Sequence, residues 1–320
     1  MKFGCSLGIV NLRYCEPNRS QRDARYYWEE LFQLVSAAGF KGIELPYDPQ
    51  WQFGGRSGIP LYSDGVKYKY GSVKGFADFL HSVGIETITG LHLNTGFLNS
   101  MAEEVYFGGF MHFAAEMIEY AAEIGALSVI ISPSPELGEL LNNMSKGKGT
   151  WDSWVKSFID KTIENINKLG EQSQKSGVKL SIKNEFWSLA HGNRVEDFLK
   201  ELDPNYVSYC ADVAHIAIAK ADPVAAIKKY KDRLGCVHMS DTAFEDVEEN
   251  FKKYNPEYPQ AGNQHVFSDM GQGNLDLSGI YNALKDIGYQ GWVICDSNHT
   301  TDISRALLRM RYQLGNVILK

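Results

Sequence analysis

Eight times along its 320 residues this chain passes from a short run rich in β-branched and aromatic residues to a longer amphipathic stretch, and nothing else in it constrains the fold as strongly. Strands are read at Lys2–Gly8, Gly42–Leu45, Glu86–Leu91, Ser128–Ser132, Lys179–Lys183, Val207–Cys210, Leu234–His238 and Trp292–Cys295. The stretches Trp28–Ala38, Val73–Val83, Glu104–Ile124, Trp154–Ser176, Val195–Glu201, Pro223–Tyr230, Leu277–Ile287 and Ile303–Gly315 carry apolar residues at i, i+3, i+4 spacing and read as helices. Several of them stop at a glycine just before the next strand, as at Gly39, Gly84, Gly125, Gly177 and Gly288, where a left-handed C′ turn costs glycine least. Eight strands with eight helices predict a single (β/α)8 barrel domain over residues 1–320, since no linker or low-complexity segment interrupts the pattern. No G-x-G-x-x-G follows the first strand, so no nucleotide cofactor is expected.

Composition narrows the partners. The formal charge of −7, from 32 basic and 39 acidic residues, is spread without a basic stripe, which argues against nucleic acid and anionic membrane. No apolar run approaches the ~20 residues of a bilayer span, and MKFGCSLGIV leads into polar sequence without a signal-peptide pattern, so a cytoplasmic protein is expected. The five cysteines (Cys5, Cys15, Cys210, Cys236, Cys295) have no C-x-x-C spacing, and three lie in apolar strand-like runs, as free thiols in a reducing compartment would. Aromatic residues make up 12% of the chain, which suits a carbohydrate pocket without requiring one.

Long βα loops at Pro46–Gly71, Pro133–Thr150 and Met239–Gly273 fall on the C-terminal, catalytic face of such a barrel. Residues at the strand ends project into the same mouth. LSIKNEFW places Glu185 there, VSYCADVAH places Asp212 with His215 three residues on, GCVHMSD offers His238 and Asp241, and WVICDSNH offers Asp296 and His299. A single acidic residue after a strand is most often a helix cap or loop ion-pair partner. Glu185, Asp212, His238 and Asp296 on four consecutive strands form a different pattern, because converging carboxylates repel unless a cation neutralises them. Oxygen-rich ligands with one imidazole suit Mn²⁺, and Mg²⁺, Co²⁺, Fe²⁺ or Zn²⁺ would also bind. His92, in TGLHLNTG, and His191 are further candidates to face substrate or to orient a ligand, as is His215. Asn94, Trp51, Tyr258 and His299 are read as substrate contacts.

The order of these residues resembles the xylose-isomerase-like superfamily of sugar isomerases, epimerases and dehydratases. The most specific part is VHMSD followed by an insertion and FSDMGQGNLDLSGIYNALKDIGYQGWVICDSNHTTD, which resembles inosose dehydratases and C-glycoside deglycosidase catalytic subunits. There the signature is a Gly-x-Gly-x-x-Asp turn, here Gly271, Gly273 and Asp276, and a Gly-Tyr-x-Gly-Trp segment, here Gly288 to Trp292. The resemblance implies a barrel with Glu185, Asp212, His238 and Asp296 as metal ligands and His215 reaching a substrate oxygen. His191 falls where ketose epimerases place a second substrate-contacting Glu. Two departures stand out: Asp296 replaces a Glu, and no Arg follows His238 within Met239–Asp246. Both point away from a ketose 3-epimerase.

The chemistry expected is abstraction of a proton α to a carbonyl by Glu185 or His191, with His215 or His92 as acid. Loss of a β-substituent would make the chain a metal-dependent lyase on a keto-sugar, cyclitol or 3-oxo-glycoside. Return of the proton would make it a ketose isomerase or 3-epimerase. A third reading is a barrel subunit active only with a smaller partner subunit, and a homo-oligomer is also compatible with the sequence.

Overall fold

Strands that all run parallel must be joined by crossovers on the outside of the sheet, and the amphipathic stretches supply them. The computed structural model describes residues 1–10, 24–49, 61–254, 256, 258, 260–261, 264–298 and 300–319. Among these, the strands Lys2–Ser6 (β1), Gly42–Tyr47 (β2), Thr87–Leu93 (β3), Ser128–Ile131 (β4), Lys179–Lys183 (β5), Val207–Asp212 (β6), Leu234–Met239 (β7) and Trp292–Cys295 (β8) close into one parallel barrel. Closure runs through the pairing of β1 with both β8 and β2.

The helices outside are Arg25–Ala37 (α1), Ser63–Tyr70 (α2), Val73–Ser82 (α3), Glu103–Ile124 (α4), Trp151–Lys175 (α5), Val195–Leu199 (α6), Val213–Ile218 (α7), Pro223–Lys229 (α8), Leu277–Asp286 (α9) and Ile303–Gln313 (α10). Their apolar faces bury aromatics against the strands. Phe32 of α1 meets Phe76 of α3 edge-on at 5.6 Å between ring centroids, and Phe107 of α4 meets Phe158 of α5 at 4.9 Å. Inside the barrel Ile130, Cys210 and Cys236 form a small buried cluster beneath the mouth. Cys5, Cys210, Cys236 and Cys295 are buried free thiols, and Cys15 lies outside the described residues.

The barrel departs from the sequence reading in ways that matter for the mouth. Strand β6 runs on past its expected end at Cys210 to Asp212, which faces His238 of β7 in register as a Cα partner. Helix α2, within the loop after β2, and helix α7, directly after β6, were not foreseen, and α7 carries His215. Both were hidden because they are short and lack a full apolar period. The insertion after β7 holds a two-stranded antiparallel ladder, Gln260–Ala261 with Gln264–His265. Of the expected substrate contacts, Trp51 and His299 lie outside the described residues.

Candidate active site

A strand's side chains alternate between the barrel interior and the helices, so residues two apart on one strand share the interior. At the end of β5 this parity puts Lys183 and Glu185 toward the same space, and both are buried. They line a cavity of about 190 Å³ at the mouth together with His92, Asn94, His215 and Asp296.

Asp212, His238 and Asp296 are drawn into one group. Each offers an atom of a kind that ligates metals, and these atoms lie within 4.8 Å of one another. Asp212 Oδ2, His238 Nδ1 and Asp296 Oδ1 are buried without a hydrogen-bond partner. The remaining atoms of the three side chains are occupied. Asp212 Oδ1 accepts from Ser240 Oγ at 2.6 Å, and Asn298 Nδ2 donates to Asp296 Oδ2 at 2.8 Å. His238 Nε2 lies 2.9 Å from Glu44 Oε2. Burial pulls the His238 imidazole down, while Cys210 and Glu44 lift it well above its ordinary value. Burial pushes the Asp296 carboxyl up to about 6.

Glu185 stands outside that group. Its Oε1 accepts from Asn94 Nδ2 at 3.0 Å and from Ser132 Oγ at 2.8 Å, and its Oε2 accepts from Trp187 Nε1 at 2.9 Å. The side chain beside Asp212 is instead Lys183, whose Nζ lies 3.0 Å from Asp212 Oδ2 as an ion pair outside hydrogen-bonding direction. Burial would lower the Lys183 ammonium, but Asp212, Glu185 and Asp296 hold it above its usual range. Burial likewise opposes ionisation of Asp212, and Lys183 above all overcomes it, holding that carboxyl well below the carboxylate range. A divalent ion on Asp212 Oδ2 would therefore share its oxygen with an ammonium. Three donors suit such an ion and the fourth position is itself cationic, so the residues as placed do not fit a divalent metal.

The other expected site residues divide clearly. His215 is buried at the cavity wall, and its Nδ1 accepts the Phe186 backbone N–H at 3.1 Å. His92 Nε2 lies 3.2 Å from Ser132 Oγ, and burial, with Lys183 adding to it, lowers its pKa. His191 is not brought to the mouth. Its Nδ1 is 2.7 Å from Ser188 O, its ring packs on Phe251 at 5.3 Å, and it lines a separate cavity of about 370 Å³. Tyr258 packs on Phe186 and Trp187 at 5.6 and 6.1 Å, behind the cavity wall.

Asp241 turns away to organise the loop before α9. Its Oδ2 accepts from Gly271 N at 2.8 Å and Gly273 N at 3.0 Å, and its Oδ1 accepts from Thr242 N at 2.9 Å. Asp276 then caps α9 by accepting from Gly279 N at 2.9 Å. The Gly-x-Gly-x-x-Asp turn is thus a backbone nest for one buried carboxylate followed by a helix cap. Sequence reasoning missed Lys183, Glu44 and Ser132. Strand parity carried a signal for the first two, since Lys183 is two residues before Glu185 and Glu44 sits mid-strand between apolar neighbours.

The family model described as xylose isomerase-like TIM barrel matches residues 32–313. An inosose dehydratase of Bacillus velezensis is 24% identical over 149 residues, which are 46% of this chain and 50% of that protein. The match to several such relatives thus spans about half of their length. An inosose dehydratase of Lacticaseibacillus casei is 20% identical over 307 residues, 93% of this chain and 90% of the relative. Among solved structures, the probable 3-DHS dehydratase AsbF of Bacillus anthracis superposes with a TM-score of 0.68 at 13% identity, covering 99% of this chain and all of that one. D-psicose 3-epimerase of Clostridium cellulolyticum H10 gives 0.67 at 16% identity with full coverage of both chains. The IolI protein with a bound zinc atom gives 0.66 at 14%, covering 99% of this chain and 98% of that one.

Proposed function

The chain belongs to the xylose isomerase-like TIM barrel family, and on that premise we propose that it is a carbohydrate lyase. It takes a proton from the carbon α to the carbonyl of a keto-sugar, cyclitol or 3-oxo-glycoside and expels a β-oxygen substituent. The names of the inosose dehydratase relatives support elimination over epimerisation.

The single observation that carries this reading is the presence of Glu185 and His215 on one cavity, each with its orientation fixed by neighbours. Glu185 is the base. Three donors leave its carboxylate one geometry, which is the preorganisation that proton transfer from carbon demands. The C–H electron pair moves into the enolate, then the β C–O bond breaks, and the proton now on Glu185 passes to the departing oxygen. Because Nδ1 accepts from Phe186, the His215 ring proton sits on Nε2, making it a neutral donor for the developing enolate oxygen. Asp212, His238 and Asp296 lie together at the same mouth, with the Lys183 ammonium against Asp212 to offset their charge. A divalent ion could enter this group only if Lys183 left Asp212.

The test is solvent-deuterium exchange at the α-carbon with keto-cyclitols and 3-keto-glycosides, run beside product analysis by mass spectrometry. Exchange with release of water or aglycone, lost by about 10²- to 10⁴-fold in Glu185→Gln, is the expected result. Exchange accompanied only by an inverted or isomerised sugar would replace the lyase with an epimerase or isomerase, and no exchange with any of them would overturn enolisation itself.

A further inference from the structure

In the buried cluster at the mouth, the side chain that meets the carboxylates is a cation supplied by the chain. Lys183 is on β5, the strand next to β6, and its Nζ reaches Asp212 Oδ2 at 3.0 Å while both side chains are closed to solvent. Asp212 Oδ2 is also the oxygen 3.7 Å from His238 Nδ1, so the ammonium borders the group that would otherwise collect a metal ion. Glu185, the fourth ligand expected from the sequence, has both oxygens committed to Asn94, Ser132 and Trp187.

We infer that the Lys183 ammonium takes the place of a divalent ion at this mouth, so that the resident cation is covalently part of β5. It neutralises Asp212 and Asp296 where they are buried and unpaired carboxylates are costly. Lys183 also lines the cavity, so its remaining N–H bonds are available to a substrate carbonyl oxygen. The same oxygen is thereby polarised by a hydrogen-bond donor with one charge. The lyase reading matters here only for the identity of that oxygen; metal content is measured without substrate, so failure of one idea is separable from failure of the other.

The experiment compares the full chain with Lys183→Glu and Lys183→Met, each expressed with Mn²⁺ and Zn²⁺ in the medium and measured by elemental analysis and thermal unfolding. Wild type is expected to carry less than about a tenth of an equivalent of either metal, with a Tm indifferent to added Mn²⁺ or to chelator. Lys183→Glu, which exchanges the ammonium for a fourth carboxylate, is expected to take up about one Mn²⁺ and to gain Tm with its concentration. Lys183→Met removes the charge without adding a ligand and is expected to lower Tm without metal uptake. About one tightly held ion in wild type, with a Tm that falls on chelation, would overturn the proposal, as would a folded Lys183→Glu that takes up none. Should Lys183→Glu not fold, the wild-type metal content decides alone.

Discussion

His215 Nδ1 accepts the backbone N–H of Phe186 at 3.1 Å, which ties an imidazole on α7 to the chain just beyond β5. The contact fixes which ring nitrogen carries the proton and where it points. If Nε2–H stabilises an enolate oxygen, His215→Ala should lower kcat by about 10²- to 10³-fold, the usual cost of one oxyanion donor. KM should move much less, because the donor acts mainly on charge that develops in the transition state. Steady-state kinetics on the substrate found by the exchange assay gives the answer, and an unchanged kcat would leave His92 as the donor facing substrate.

How much of this was legible in the sequence depends on whether a residue's role follows from its position along a strand or from its neighbours across the barrel. The eight strand and helix alternations specify the barrel, and Asp212, His238 and Asp296 could be read because each ends or follows an apolar strand run. Glu185 was placed at the mouth, but its commitment to Asn94, Ser132 and Trp187 depends on the residues just past β3 and β4 and on the β5–α6 loop. Lys183 closes a strand, where a lysine is usually solvated, and only the parity shared with Glu185 turns it inward. His191, read from the sequence as a candidate base, does not reach the mouth because six residues beyond Glu185 the chain has already turned toward Phe251.

His191 offers a control with a sign. Burial lowers its pKa, the contact with Ser188 O opposes that, and Arg194 and Lys252 add to the lowering; Asp246 and Glu249 line the same cavity. Below its unfolded pKa of about 6.5 the unfolded chain binds the proton more readily than the folded one, so this contribution is full above that pH and is lost as pH falls toward the folded pKa. His191→Gln should therefore flatten the loss of stability between about pH 6.5 and 5, measured by urea unfolding. Its turnover should stay within about threefold of wild type, and a loss of the size seen for a general base would return His191 to the chemistry.

Gly273 tests the carboxylate nest under the last βα unit. A Cβ there would lie 2.1 Å from Asp241 Oδ1 and 2.6 Å from the Thr242 backbone nitrogen, so the loop must move. Forcing a methyl into this packed, hydrogen-bonded turn should cost about 1–3 kcal/mol. Gly273→Ala is expected to lower the urea midpoint with little change in m, while Gly315→Ala, where no atom lies within 4 Å of the added Cβ, should not. Equal effects from both would show that Asp241 does not organise the turn.

Trp187 joins the base to the aromatic wall, and two substitutions separate those roles. Its Nε1 donates to Glu185 Oε2 at 2.9 Å, and its ring lines the mouth cavity while standing edge-on to His215 at 4.9 Å. Trp187→Phe keeps an apolar ring and deletes the donor. A hydrogen bond to a charged group is worth about 1.5–3 kcal/mol, so the freed carboxylate oxygen should lose its fixed direction and kcat should fall about 10- to 100-fold. Trp187→Ala removes the ring as well, and the flat apolar surface that a sugar face would stack on goes with it. KM should then rise in the alanine variant and stay near wild type in the phenylalanine variant. If both variants raise KM equally and leave kcat alone, Trp187 serves binding only and Glu185 is positioned by Asn94 and Ser132 without it.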